Sequence, residues 1–357
     1  ARRFDRLMIE AVDLAAAILE EEAIDARQTA DGEIELLHRS MKPAAMRAEA
    51  EAAARRFGCR TEVLGRDDLA ARGLRAQGAH GAIFVEKGFG LHPLRYARGL
   101  ADAAIAAGAV VHGETPVLGW REDRGRHLLA TPRGRIDAGA IVVAVNGYHP
   151  RGLRPRAETA VLPALSGIGV TRPLTEAEIA AAGWRATTLA YDSRNLLHYF
   201  RLLPDGRFLF GGRGGLSLDE AAREGWFRRL RRDFEAMFPA WAEVPFDYRW
   251  GGFVALAFDL VPHVWRDPGD PGVWYAHLYH GNGVAMATRA GQALARLVAG
   301  AGDPGLPDFM RAPPPVPPLP ALRRRYLQLA YLWYGATDRG VLPGINLPAA
   351  LARFLAR

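Results

Sequence analysis

Residues 273–299 place the tightest constraint on how this chain folds. Residues 273–278 carry an apolar strand pattern, Gly281-Asn282-Gly283 forms a turn, and residues 284–299 continue at helical spacing with small residues on one side. A strand that passes through glycines directly into a helix sets the helix's free N-terminal amides and its dipole above the strand ends. That arrangement suits a group that gains negative charge, although an ordinary tight strand-to-helix turn has the same pattern. A second segment, residues 136–145, is nearly continuous in apolar residues and ends in Asn146-Gly147. It predicts a strand at the centre of a covered parallel sheet.

Around these lie weaker signals. Residues 2–23 repeat apolar side chains near a 3.6-residue period (Phe4, Leu7, Met8, Ala11, Val12, Ala15, Ile18, Leu19) and predict an amphipathic helix with no strand before it. Residues 41–57, closed by Gly58, and residues 93–107, closed by Gly108, predict further helices. Strands are expected at 33–38, 81–85 and 109–112, with a small meander from 118–122 and 127–131. From 161 to 213 the texture alternates, with Tyr199 and Arg201 facing opposite to Phe200 and Leu202, and residues 207–212 follow the Asp205-Gly206 turn. A helix over 220–238 and a strand over 246–257 complete that antiparallel region. Residues 313–320 read as a stiff proline-rich linker. Residues 322–334 read as a short basic, aromatic helix packed on the nucleotide-binding part, in preference to an interfacial helix. Parallel, then antiparallel, then parallel texture implies an α/β fold with an α+β insertion.

Composition narrows the classes. The 357 residues are 49% hydrophobic and 24% charged, enough for two domains with cores, and no apolar run approaches the roughly 20 residues that span a bilayer. Cys59 is the single cysteine, so no disulfide framework forms and a reducing compartment, the cytoplasm, is expected. The net charge of +7 is carried by arginines spread along the chain, since only Lys42 and Lys87 are lysine. Without aromatic interleaving it predicts no nucleic-acid partner. His263, His277 and His280 lack further ligands at metal spacing, so no metal site is expected. Gly300, Gly302 and Gly305 match Gly-x-Gly-x-x-Gly, but the match follows a helix and contains Pro304, so it lacks the strand-to-helix setting that the fingerprint needs. Trp250-Gly251-Gly252 fits either a packed strand with a bulge or a close approach of backbone to a planar group.

Taken in order, several stretches resemble one family. They are His92-Pro93-Leu94-Arg95-Tyr96-Ala97-Arg98-Gly99-Leu100, residues 108–117, and Ile141-Val142-Val143-Ala144-Val145-Asn146-Gly147. With them go Tyr199-Phe200-Arg201, Asp205-Gly206-Arg207, Trp250-Gly251-Gly252 with Asp259 and Pro262, and Gly281-Asn282-Gly283-Val284 leading to Gly291. Over residues 1–334 the chain resembles the FAD-dependent amine and amino-acid oxidoreductases of the D-amino-acid oxidase, glycine oxidase and gamma-glutamylputrescine oxidase group, the last above all. The resemblance implies an incomplete Rossmann-like FAD-binding domain (1–30, 86–157 and 270–334), an antiparallel-sheet substrate domain (31–85 and 158–269) and a tail (335–357). It implies FAD held by Val117, Ala144, Asn146, Gly147, Gly252, Gly281, Asn282, Gly283 and Val284, with Tyr199, Arg201, Trp250, Val254 and His280 facing the substrate.

The implied reaction is hydride transfer from an amine-bearing carbon to flavin N5. The resulting imine is hydrolysed, and oxygen or another acceptor takes the electrons; a catalytic acid or base is not required. Two departures matter. The family's opening strand and glycine turn have no counterpart, so the chain is expected to be a fragment that holds FAD weakly. Val254 stands where relatives that act on α-amino acids carry an arginine for the substrate carboxylate, which favours a primary amine of the gamma-glutamylputrescine kind unless Arg201 or Arg213 supplies the charge. The other readings are a quinone-linked amino-acid dehydrogenase and a non-catalytic binding remnant. A partner other than the small-molecule amine and the electron acceptor is not expected, and membrane contact is not expected.

Overall fold

The computed structural model describes residues 2–149, 152, 155–217 and 219–341. The chain opens with α1 (Arg2–Glu21), then β1 (Thr29–Leu36), α2 (Pro43–Phe57), β2 (Thr61–Leu64), α3 (Arg66–Ala71), β3 (Ala82–Gly90) and α4 (Pro93–Ala106). A meander of β4 (Gly119–Asp123), β5 (Arg126–Thr131) and β6 (Gly134–Ala138) precedes β7 (Ile141–Val143) and α5 (Pro155–Ala160). Next come β8 (Leu162–Pro173), α6 (Glu176–Ala182), β9 (Leu189–Asp192), β10 (His198–Leu202), β11 (Arg207–Gly215), α7 (Glu220–Met237) and β12 (Phe246–Leu256). The chain returns through β13 (His263–Arg266), β14 (Val273–His277), α8 (Gly283–Val298), α9 (Asp308–Arg311) and α10 (Arg323–Asp338).

One eight-stranded sheet has the order β12-β8-β11-β10-β9-β1-β3-β2 and is antiparallel except for the parallel β1–β9 pair. Strict alternation gives it two faces. Phe200, Phe208 and Phe210 point to the face covered by α7, where they meet Phe234, Phe238, Trp241 and Trp184, all buried. Ring centroids there lie 4.7 Å apart for Phe208 and Trp241 and 4.8 Å for Phe208 and Phe238. The opposite face carries half-buried Tyr199 and Arg201, as the alternation predicts.

A small sheet of β13-β14-β7 pairs β14 parallel to β7 and antiparallel to β13. Helices α1 and α8 cover it, with Leu7 and Ala11 against Met286, Ala290, Ala293 and Leu294. Behind α8, Arg289 and Asp303 form a buried two-point ion pair at 2.7 and 2.8 Å, which anchors the loop containing Gly300, Gly302 and Gly305. That loop follows a helix, so these glycines are not a dinucleotide turn.

Several expectations need correction. The apolar run 136–145 is two strands, because the chain breaks near Gly139: β6 joins the meander, while β7 joins β14. Among the described residues β7 has a partner on one side alone, and Val142 is 46% exposed, so the strand lies at an edge and not at a sheet centre. Residues 109–112 form no strand; Val110 and Val111 are exposed because no neighbouring strand meets them. β13 was not expected, and it pairs with β14, on the far side of the anticipated boundary at residue 269. α10 packs chiefly on β8 of the large sheet, where packing on the expected nucleotide-binding part was anticipated. It extends into the expected tail, whose residues 342–357 lie outside the described residues.

Truncating Phe208 removes the ring at the middle of the aromatic cluster and leaves a cavity that rigid neighbours cannot fill. Phe208→Ala is expected to lower unfolding free energy by about 3–5 kcal/mol, read as a lower urea midpoint with an unchanged slope.

Candidate active site

Between β14 and α8 the backbone takes a conformation that few side chains accept. Leu278 (φ 74°), His280 (φ 56°) and Gly281 (φ 102°) are left-handed, and two of the three carry a Cβ. Such strain persists only where the surroundings fix it. Leu278 is fully buried with Val161, Ala255 and Ala257, and its amide donates to Asn146 Oδ1 at 3.1 Å. The His280 amide donates to the Ala255 carbonyl at 3.3 Å, and His280 Nε2 accepts from the Ala257 amide at 3.2 Å. The loop is thus bolted to the end of β12 and to Asn146, itself left-handed at φ 46°.

This loop delivers α8, whose N-cap Asn282 makes no side-chain capping bond. The first-turn amides remain directed at whatever lies above the strands. In front of them an open trough of about 1230 Å³ runs between α1, α4, α8 and the free edge of β7. Its lining is small and apolar, with Ala144, Ala276, Gly283, Ala287 and Gly291 among its residues. Nothing lies within 4 Å of a Cβ built on Gly283 or Gly291. Tyr96 and Thr288 close one wall with a hydrogen bond of 2.9 Å between their hydroxyls.

On the other side of the same loop lies a smaller, more enclosed pocket of about 310 Å³. Val254 and Leu256 of β12, Arg213 of β11, His280, and Tyr331 and Tyr334 of α10 line it. Arg213 reaches beneath the loop, where its guanidinium donates to the His280 carbonyl at 3.3 Å. Gly281 permits this approach, since a Cβ there would stand 2.9 Å from Arg213 Nη2. Burial pushes the Tyr331 hydroxyl up to about 12, so it stays protonated. His280 is held down to about 4, mainly by burial, and with both edges of its ring bonded to backbone it is a neutral clamp and not a free base.

The sequence-derived residues divide among these places. Ala144, Asn146, Gly283 and Val284 line the trough, and Gly281 and Asn282 form the loop beside it. Asn146 spends its carbonyl on Leu278. Gly147 packs where a Cβ would meet Phe253, and Gly252 lies where one would stand 2.8 Å from the Tyr148 hydroxyl, so both are close-packing glycines. Val117 is half-buried in the turn before β4 and does not line the trough. Val254 and His280 line the enclosed pocket; Tyr199, Arg201 and Trp250 do not. Tyr199 shares a 2.9 Å hydrogen bond with Ser166, Arg201 donates to Thr29 Oγ1 at 3.0 Å, and Trp250 is 48% exposed on β12. The residues not anticipated here are Tyr331 and Tyr334, which chain distance hides. Arg213, named above only as a substitute charge, stands alone among Gly211, Gly212, Gly214 and Gly215, a flanking pattern that marks crowded backbone.

The trough meets the demands of a dinucleotide cofactor in part: a free helix N-terminus, small residues and an open strand edge. It supplies no glycine-rich phosphate turn among the described residues. An open trough at a helix N-terminus beside an enclosed small-molecule pocket fits the class of enzymes that hold a nucleotide cofactor next to a small substrate. Comparison with known proteins makes this specific, because the family model described as DAO, FAD dependent oxidoreductase, matches residues 1–297. The chain belongs to that family, and FAD is the cofactor that this membership assigns.

A Rhizobium meliloti protein named "Probable oxidoreductase OrdL" is 32% identical over 251 residues, covering 70% of this chain and 56% of that protein. Gamma-glutamylputrescine oxidoreductase of Escherichia coli is 27% identical over 267 residues, covering 72% of this chain and 59% of that protein. The chain therefore spans about half the length of the curated relatives it matches. The fold is that of glycine oxidase from Geobacillus kaustophilus, with a TM-score of 0.70 at 21% identity over 84% of this chain and 80% of that one. It is also that of L-proline dehydrogenase from P. horikoshii, with a TM-score of 0.71 at 17% identity over 90% and 83% of the two chains.

His277 gives this region a pH signature. It is fully buried between Trp265 and Tyr275 with no hydrogen-bond partner on either ring nitrogen, and burial, with His149 and His263 nearby, lowers it to about 3. An unfolded histidine takes up its proton near 6.5, so the stability that neutral His277 contributes is complete above that pH and is lost progressively below it. His277→Phe is expected to flatten the fall in urea midpoint between pH 7 and pH 5 relative to the parent protein.

Proposed function

We propose that this chain is the part of an amine or amino-acid oxidoreductase that receives the flavin's pyrimidine edge at the start of α8 and the substrate in the pocket across the loop. The observation that carries this reading is the shared loop: residues 278–283 face the trough on one side and the enclosed pocket on the other. The division into a discontinuous FAD-binding part and a substrate-binding sheet belongs to the same proposal, with β13 assigned to the former. Bound FAD supplies the acceptor for a hydride leaving the amine-bearing carbon.

This chain's own residues act by position and electrostatics. Leu278, Asn146 and the end of β12 fix the loop, so the helix amides are preorganised and need no rearrangement during reaction. Val254, Leu256 and the two tyrosines exclude water. No Asp or Glu lines the pocket, and Arg213 disfavours a second cation, so the substrate amine is received neutral. A primary amine of the gamma-glutamylputrescine kind fits the neutral Val254, and the E. coli relative supports that choice. Electrons pass to oxygen or another acceptor. The exposed Leu329 and Leu332 on α10 keep a quinone acceptor in view, and oxygen consumption against dye reduction separates the two.

Two outcomes are expected. FAD added to the protein gives a flavin spectrum that bleaches anaerobically with a particular amine, and residues 1–357, which supply no glycine-rich phosphate turn among the described residues, release that FAD in gel filtration. A colourless protein that takes up no added FAD leaves the binding-remnant reading instead. Because no pocket group serves as a base, kcat/KM should climb with pH about tenfold per unit until the substrate amine's own pKa is reached. A plateau at a lower pH, independent of the amine used, would reveal a titrating enzyme base.

A further inference from the structure

Far from the candidate active site, and independent of the proposed oxidation, we propose that the free edge of β12 is a docking site for an extended acidic segment of a partner protein. The segment adds a strand to the large sheet and sets its carboxylates in an arginine-lined groove between β12 and α7.

The edge comes first. β12 is the last strand of the eight-stranded sheet, and among the described residues β8 is its single strand partner. Its far end is closed, because the Phe253 amide donates to the Tyr148 hydroxyl at 3.1 Å and the Ala255 carbonyl accepts from the His280 amide. Over residues 247–251 the backbone groups that point away from β8 meet no partner among the described residues. Each unpaired amide and carbonyl there can enter a ladder bond with another strand, so the edge is a template for an extended peptide.

Charge lies on one side of that edge. The pleat sends Arg249 to the α7 side, where its guanidinium stands 5.3 Å over the Phe227 ring, and sends Tyr248 and Trp250, both exposed, to the opposite side. On the α7 side an open groove of about 780 Å³ is lined by Phe227, Arg228, Arg231, Arg232, Phe246 and Arg249 among others. The acids near it are already matched: Glu235 with Arg231 at 2.6 Å, Glu224 with Arg249 at 3.2 Å, and Asp247 with Arg207 at 2.8 Å. Arg228 and Arg232 are exposed and meet no carboxylate among the described residues. The groove therefore carries uncompensated positive charge, in guanidinium form that suits carboxylates.

Edge and groove together select the occupant. A strand laid along β12 alternates its side chains, so every second one enters the groove beside Arg249 while the others lie by Tyr248 and Trp250. Acidic residues alternating with apolar ones meet both sides. Nucleic acid cannot use the ladder groups, and the exposed aromatics are on the other side of the sheet from the arginines, so bases have no stacking platform in the groove. A second copy pairing its own β12 here would bring Arg228, Arg232 and Arg249 of both chains to one side of the joined sheet, and each chain carries a net charge of +7.

The test is fluorescence anisotropy of a labelled peptide in which glutamate alternates with valine, titrated with the protein. It should bind about tenfold more tightly than a peptide of the same composition in two blocks, or one with lysine for glutamate, and weaken about tenfold between about 50 and about 500 mM salt. N-methylation of the glutamates alone and of the valines alone blocks the two sets of amides in turn. One set faces β12, so one of these peptides should lose binding and the other keep it. Arg228→Glu with Arg232→Glu should lower affinity about 10–100-fold, and Trp250→Ala by a smaller factor. Should the doubly substituted protein fail to fold, the two N-methylated peptides decide. Equal affinity for the block peptide overturns the proposal, as do two N-methylated peptides that bind like the parent or an affinity that survives the charge reversal. An oligothymidylate that binds more tightly than the peptide overturns it in favour of nucleic acid. A dimer in sedimentation velocity that Trp250→Ala abolishes overturns it in favour of a second copy.

Discussion

Everything at the candidate site depends on the left-handed turn after β14. Leu278 and His280 sit where a Cβ is unfavourable, and the structure holds them there with the Asn146 side chain, the Ala255 carbonyl and the Ala257 amide. The strain is local, while its restraints come from β7's end and from β12. Two sheets are therefore coupled through a few residues. The helix N-terminus on one side of the turn and the Arg213 pocket on the other have a fixed relation because both are referenced to the same backbone.

The large sheet provides the second half of that relation. Its aromatic face, packed under α7, makes the strands rigid enough to act as a platform. Its other face borders the enclosed pocket, and glycine controls the clearance there. Gly211 leaves room for the Tyr199 ring, and Gly281 leaves room for Arg213. His277 and His280 are kept neutral by burial, so they serve packing and hydrogen bonding more than proton transfer. That division suits a reaction in which the cofactor supplies the chemistry and the protein supplies orientation and dryness.

Much of the fold was legible because period and punctuation are local properties. The alternation at Tyr199, Phe200 and Arg201, the helix over α7 and the strand-turn-helix at β14 and α8 all follow from side-chain spacing. What escaped depended on partners. Residues 109–112 and 136–145 are apolar enough for strands, but pairing decides where a strand ends, and pairing is not written in one segment. The site was legible in the same uneven way. Asn146, Gly281, Asn282, Gly283, Val284, Val254 and His280 lie at or beside the two cavities, whereas Arg201 and Trp250 line neither. Tyr331 and Tyr334 could not be found from spacing, since α10 reaches β8 across more than a hundred residues of chain.

If the turn after β14 and the first turn of α8 meet the flavin, hydrogen–deuterium exchange of the amides at 282–287 and 142–146 slows in both segments on addition of saturating FAD, with the α7 face unchanged. Protection elsewhere, with these amides exchanging at their original rates, would contradict it.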